Sequence, residues 1–92
     1  MDDEQLMEHM LDVLHEFYQQ NSVQMRYIGK IRDVLERRTN ESIRLDQITG
    51  CGIQLSTKGL IKIKGDQGKD PLQGWTNAII LQNGINHILR RK

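Results

Sequence analysis

Residues 6–35 read LMEHMLDVLHEFYQQNSVQMRYIGKIRDVL, and this is the one stretch in which a hydrophobic period persists over several turns. Leu6, Met7, Met10, Leu11, Val13, Leu14, Phe17 and Tyr18 recur at spacings of three and four, with Glu8, Asp12, Glu16, Gln19 and Gln20 between them. That period predicts a helix from about Asp3 to Gln20. Asp2, Asp3 and Glu4 stand where the positive end of the helix dipole favours acids. Two adjacent apolar rows, 6-10-13-17 and 7-11-14-18, make the face too wide for a single partner helix. Met7, Met10, Leu14, Phe17 and Tyr18 on that face, together with Trp75, are therefore candidate protein-interface residues, since Met and aromatics are over-used at interfaces. The alternative for each is ordinary core.

A second helix is expected from about Val23 to Arg38, with Val23, Tyr27, Ile28, Ile31, Val34 and Leu35 on its apolar side. Asn21 followed three residues later by Gln24 fits a capping box and favours a helical hairpin. One continuous helix is the rival, because a heptad phase runs through Asn21.

Downstream, Thr49-Gly50-Cys51-Gly52 reads as a turn. Ile53 and Leu55, then Ile61 and Ile63, alternate with polar residues on either side of Thr57-Lys58-Gly59, which predicts a β-hairpin over 53–64. Asp70-Pro71 with Gln73 signals a helix start, and a C-terminal helix over 70–90 follows from Trp75, Ala78, Leu81, Ile85, Ile88 and Leu89. Asn83-Gly84 argues instead for a hairpin there. The expected fold class is α+β: an N-terminal helical hairpin (1–38), a central β-hairpin and a C-terminal helix, in one domain of 92 residues.

The net charge of +1 conceals a segregation: residues 1–20 carry −6, residues 21–40 +3, residues 41–70 +1 and residues 71–92 +3. Arg26, Lys30, Arg37, Arg38, Lys58, Lys62, Lys64, Arg90 and Arg91 are candidate anion-binding residues for nucleic acid or a phosphorylated ligand, with Lys92 beyond them. The plainer reading has these bases offsetting the acids of the first helix, blunting an edge strand and complementing a helix end. Few aromatics are present for stacking on single strands.

Chemistry-bearing motifs are sparse. Cys51 between two glycines has no base tied to it, and His9 and His15 are not at a spacing that stacks them on one helical face, so neither a catalytic residue nor a metal site is expected. No cofactor is implied. Gly65-Asp66-Gln67-Gly68-Lys69 before a helix start has the look of an anion loop, but it lacks the Walker spacing, and Asp66 and Asp70 outweigh Lys69. The single cysteine, the acidic opening and the absence of any long apolar run lead to the expectation of a cytoplasmic, non-membrane protein. Composition and the wide helical face together predict a non-catalytic interaction module, a homodimer or larger, that regulates, adapts or inhibits a larger protein. The alternative is a binder of nucleic acid or a phosphorylated small ligand.

Overall fold

The structure, a computed structural model, describes residues 1–91. It is α+β: four α-helices and a three-stranded antiparallel sheet, in the order α1 (Asp3–Gln20), β1 (Arg26–Tyr27), α2 (Ile28–Thr39), α3 (Leu45–Thr57), β2 (Ile61–Lys64), β3 (Asn77–Ile80) and α4 (Gln82–Arg91).

Helix α1 starts where the sequence says it should. Asp2 accepts from the Gln5 amide at 2.8 Å while the Gln5 side chain reaches back to the Asp2 amide, so two otherwise orphaned donors are satisfied at once. Its two apolar rows lie at the centre of the molecule, in contact with α2, α3, α4 and β3. Leu6, Met10, Leu11, Val13 and Leu14 are each no more than 1% exposed. The width of the face thus reflects cover from several sides by the chain itself.

Asn21 does not open a second helix. It ends α1, and its side chain accepts from Val23 N at 3.1 Å, a local turn that releases the chain into extended backbone. Residues 23–25 are not helical, Arg26–Tyr27 pair with β3, and α2 begins at Ile28. It stops at Asn40, which takes the left-handed conformation (φ 56°) that Asn tolerates better than most residues.

The largest departure from expectation is α3, which occupies the stretch read as a turn plus the first strand of a hairpin. Ile48, Cys51, Gly52 and Leu55 are buried at helical spacing, and the Ile53/Leu55 alternation is incidental to it. Thr57-Lys58-Gly59 closes the helix and does not link two strands. Gly59 (φ 75°) sits beyond the last turn, Gly59 N donates to Ser56 O at 2.9 Å and Leu60 N to Leu55 O at 3.0 Å, the paired bonds of a Schellman cap.

The real hairpin is β2–β3, with Ile61 opposite Ile80 and Lys64 opposite Asn77, and β3 is the central strand between β1 and β2. The Asp70 helix signal is genuine but short: Asp70 accepts from Leu72 N at 3.0 Å and caps a 3-10 turn over Pro71–Gln73. A strand takes over because Ala78 and Ile80 face the core while their neighbours are only half-buried, a period of two. Helix α4 then runs through Asn83-Gly84 without a turn.

Gly84 is what lets α4 sit where it does. A Cβ there would stand 2.3 Å from Leu60 O and 2.6 Å from Ile80 Cγ1. Gly84→Ala should therefore lower the urea midpoint of unfolding, by about 1–3 kcal/mol of overpacking, despite the roughly 1 kcal/mol that Ala gains in helix propensity. A midpoint at or above that of the parent would mean the contact is looser than described.

Candidate nucleic-acid interface

Helices α2 and α3 are joined by five residues, Asn40–Arg44, and the turn is held from α2. Ile43 N donates to Glu36 at 2.8 Å, Ile43 O accepts from Arg32 Nε at 2.8 Å, and the Ile43 side chain is buried. Both polar groups of one residue and its apolar body are thereby fixed, which sets the direction in which α3 leaves. Gln47 ties the start of α3 to the first turn of α1 by donating to Met1 O and Asp3 Oδ1. The result has the connectivity of a helix-turn-helix unit.

The outward side of α3 carries Asp46, Gln54 and Thr57 exposed, and Gly50 and Ile53 half-buried, at spacings that share a face. Its hydrogen-bonding groups are neutral apart from Asp46, which pairs with Arg44 at 3.5 Å. Beside α3 lies the β2–β3 hairpin. Its long connection, residues 65–76, is anchored to α3 by Trp75, whose indole donates to Thr49 O at 3.0 Å and lies where a Cβ on Gly52 would come within 2.4 Å of the ring.

Register sorts the basic residues of the sheet. Tyr27, Asn77 and Lys64 are opposite one another and share the outer face, with Lys62 opposite Ile79 next to them. Lys62, Lys64 and Tyr27 are exposed, Tyr27 at 61%. Arg26 belongs to the alternate row with Ala78 and Ile63. It turns toward α1, its guanidinium carbon 4.7 Å from the centre of the Phe17 ring, and its Nε is buried without a hydrogen-bond partner.

The nine candidate bases are thus divided. Arg38 pairs with Glu16, and Arg91 pairs with Glu8 at 2.6 Å and Asp12 at 2.5 Å, so both answer acids of α1. Arg37 donates to Asp33 O at 3.4 Å on its own helix. Lys58 borders a cleft between α1 and α4, and Arg90 is exposed on α4. Lys30 is exposed in the first turn of α2, and Lys62 and Lys64 are exposed on the hairpin. Two further exposed bases stand outside the nine: Arg44, immediately before α3 and paired with Asp46, and Lys69, in the hairpin connection. Arg44 gave no sequence signal because α3 itself went unread. Lys92 lies outside the described residues.

The predicted protein interface is not a surface. Met7, Met10, Leu14, Phe17 and Trp75 are buried in the core, and Tyr18 is half-buried against it. The exposed large apolar side chains are elsewhere, among them Leu45, Leu72, Leu81 and Leu89. The five-residue loop Gly65–Lys69 is closed on itself, Lys69 N donating to Asp66 O at 2.9 Å, so that amide is not open to an anion.

Cys51 is 1% exposed, inside α3 and against Asp3. Burial first, and then the Asp3 carboxylate, push its thiol up to about 12. That is the reverse of an activated nucleophile. An unfolded cysteine ionises near 8.5, so the unfolded chain gives up this proton first, and the stabilisation is complete below that pH and drains away as pH rises toward 12. Cys51→Ala should flatten the alkaline fall in stability, as read from urea midpoints between about pH 8.5 and 10.5. An unchanged slope would place its cause in other groups.

No group of His, Cys, Asp and Glu among the described residues is arranged to hold a metal ion, and no helix among them is long and apolar enough to cross a membrane. Comparison with protein-family models, with curated proteins and with solved structures finds no match to this chain.

Proposed function

We propose that this chain is a small, non-catalytic, cytoplasmic binding module whose ligand is double-helical nucleic acid, with α3 directed at a groove and the β2–β3 hairpin at the adjacent backbone. The observation that carries the reading is the pairing of a helix-turn-helix unit with a hairpin of exposed lysines, the plan of a winged helix-turn-helix. Charge adds to it. From Arg26 to Ile80 the chain holds ten Lys and Arg against six Asp and Glu, a net of +4, which falls to +3 once Arg38 is assigned to Glu16 of α1.

The division of labour follows from residue types. Lys30, Arg44, Lys62, Lys64 and Lys69 would neutralise phosphates, and Gln54 and Thr57 would meet base edges, because phosphate contacts position a protein and base contacts give it specificity. With neither Lys nor Arg on α3 itself, affinity would be electrostatic and sequence preference modest. Titration of a labelled duplex at low ionic strength tests this, and an unlabelled single strand of the same length should compete poorly, since among the described residues Tyr27 is the only aromatic on the exposed sheet face.

Self-association belongs to the same proposal, as a two-fold dimer presenting α3 to two half-sites. What supports it is the pair Leu81 and Leu89, exposed eight residues apart around α4; the stoichiometry of the duplex titration reads it out. A regulator, adaptor or inhibitor docking on a larger protein through the face of α1 has no surface to use, because that face is the core.

A further inference from the structure

Resting on the duplex reading above, we infer that α3 reads A·T base pairs in the major groove, with Gln54 as the residue that specifies adenine and Gly50 as the point where the helix backbone closes on the bases. Four glycines among the described residues lie within α-helices, and three of them answer a neighbour inside the molecule. A Cβ would run into the Tyr27 ring at Gly29, the Trp75 ring at Gly52 and the Leu60 carbonyl at Gly84. Gly50 is the exception. Nothing stands within 4 Å of where its Cβ would be, so packing within the chain gives no return for the poor helix propensity of glycine in mid-helix. A missing side chain under open space lets an outside surface come up to the backbone.

Helical spacing puts Gly50 at the middle of the outward face, one turn from Asp46 on one side and one turn from Gln54 on the other, with Ile53 and Thr57 alongside. The other polar side chains of that face are committed. Asp46 pairs with Arg44, Gln47 donates to Met1 O and Asp3 Oδ1, and the Thr57 hydroxyl donates to Ile53 O at 3.0 Å. Gln54 is exposed, and among the described residues its side-chain amide makes no hydrogen bond.

That carboxamide carries an acceptor and a donor side by side, the complement of adenine N6 and N7 in the major groove. Guanine presents two acceptors there and would leave the carboxamide oxygen facing one of them. The methyl groups of Ile53 and of Thr57, whose hydroxyl is turned back to the helix, suit the thymine methyl. One bidentate contact of this kind discriminates by roughly 5- to 150-fold.

The test compares three labelled hairpin duplexes of about 20 base pairs, alternating A·T, alternating G·C and alternating I·C, closed by the same loop and titrated with the intact chain at low ionic strength. Equal length and charge cancel the contribution of the phosphates. An inosine·cytosine pair shows the G·C pattern in the major groove and, like A·T, lacks the amino group in the minor groove, so it tells the two grooves apart. The A·T duplex should bind at least about fivefold more tightly than the G·C duplex, with I·C as weak as G·C, and Gln54→Ala should bring all three within about twofold. Gly50→Met, a good helix former with no neighbour to meet at its Cβ, should raise the melting temperature by about 3–8 °C and yet bind the A·T duplex at least about fivefold more weakly. Equal binding of A·T and G·C, an I·C duplex bound like A·T, a preference that survives Gln54→Ala, or a Gly50→Met chain that binds undiminished would each overturn the inference while leaving the duplex reading in place. If none of the three duplexes is bound, the duplex reading itself fails and this inference with it.

Discussion

Replacing Trp75 with alanine should cost about 3–5 kcal/mol, the usual range for removing a large aromatic from a packed core. The side chain is 2% exposed, its ring fills the space above Gly52, and its indole donates to the backbone of α3 at Thr49. It is also the one core residue contributed by the 65–76 connection, so its loss would free that connection from α3. A domain of this size holds only about 5–15 kcal/mol in total, and each kcal/mol moves the melting temperature by roughly 4–8 °C. A fall of more than about 12 °C is therefore expected by calorimetry. Trp75→Phe keeps most of the apolar volume and drops the hydrogen bond, and should cost only about 1–2 kcal/mol beyond the packing it loses. If Trp75→Ala melts within about 4 °C of the parent, the side chain is not seated against α3 and the hairpin is not fixed beside it.

The second large effect concerns binding. Reversing Lys62, Lys64 and Lys69 together to Glu removes up to three phosphate contacts and adds three repulsions. At low ionic strength the variant should bind a labelled duplex at least about 100-fold more weakly, and the slope of log affinity against log salt should shrink by about 2 to 3. The three side chains are exposed, so the thermal transition should scarcely move. Arg90→Glu serves as the control: it changes charge by the same sign on α4, outside both the α2–α3 unit and the hairpin in the chain, and should leave affinity within about twofold. A loss at Arg90→Glu of about one third of the triple variant's on a logarithmic scale, in proportion to the charge removed, would show that only net charge matters and that the hairpin has no particular part.

How much of this was readable from the chain depends on where local and tertiary forces agree. In α1 they agree. The acids of the first turn and the apolar period both point to one helix, and its ends fall at the predicted residues. What misled was the inference from its width. A broad apolar face is equally the mark of a helix surrounded by its own chain, and only the other elements decide between the two. Helix α3 was illegible because Gly50 and Gly52 count against a helix locally. Gly52 is there for a ring twenty-three residues away, a contact that local propensity does not register. Gly59 carried a true signal with two meanings, since a glycine of positive φ ends a helix as readily as it turns a hairpin. The 77–80 strand was hidden by Trp75, Ala78 and Leu81, whose spacing of three mimics a helix while the buried pair Ala78 and Ile80 keeps the period of two.

The basic residues were found and their grouping was not. Nothing in residue order says that Arg26 faces inward over Phe17 while Tyr27 and Lys64 face out, because that depends on the register of β1 on β3. Nor does it say that Arg38 and Arg91 are committed to α1. That assignment needs α2 and α4 packed on the same helix.

The nucleic-acid reading is tested most directly by fluorescence anisotropy of a labelled duplex about two helical turns long, titrated with the intact chain across a series of salt concentrations. With Lys30, Arg44, Lys62, Lys64 and Lys69 facing phosphates, the predicted result is saturable binding at low salt with a log–log slope of about −3 to −4.5, so that affinity falls by roughly two to three powers of ten between 50 and 200 mM. No change in anisotropy at the lowest salt, or binding indifferent to salt, would contradict it.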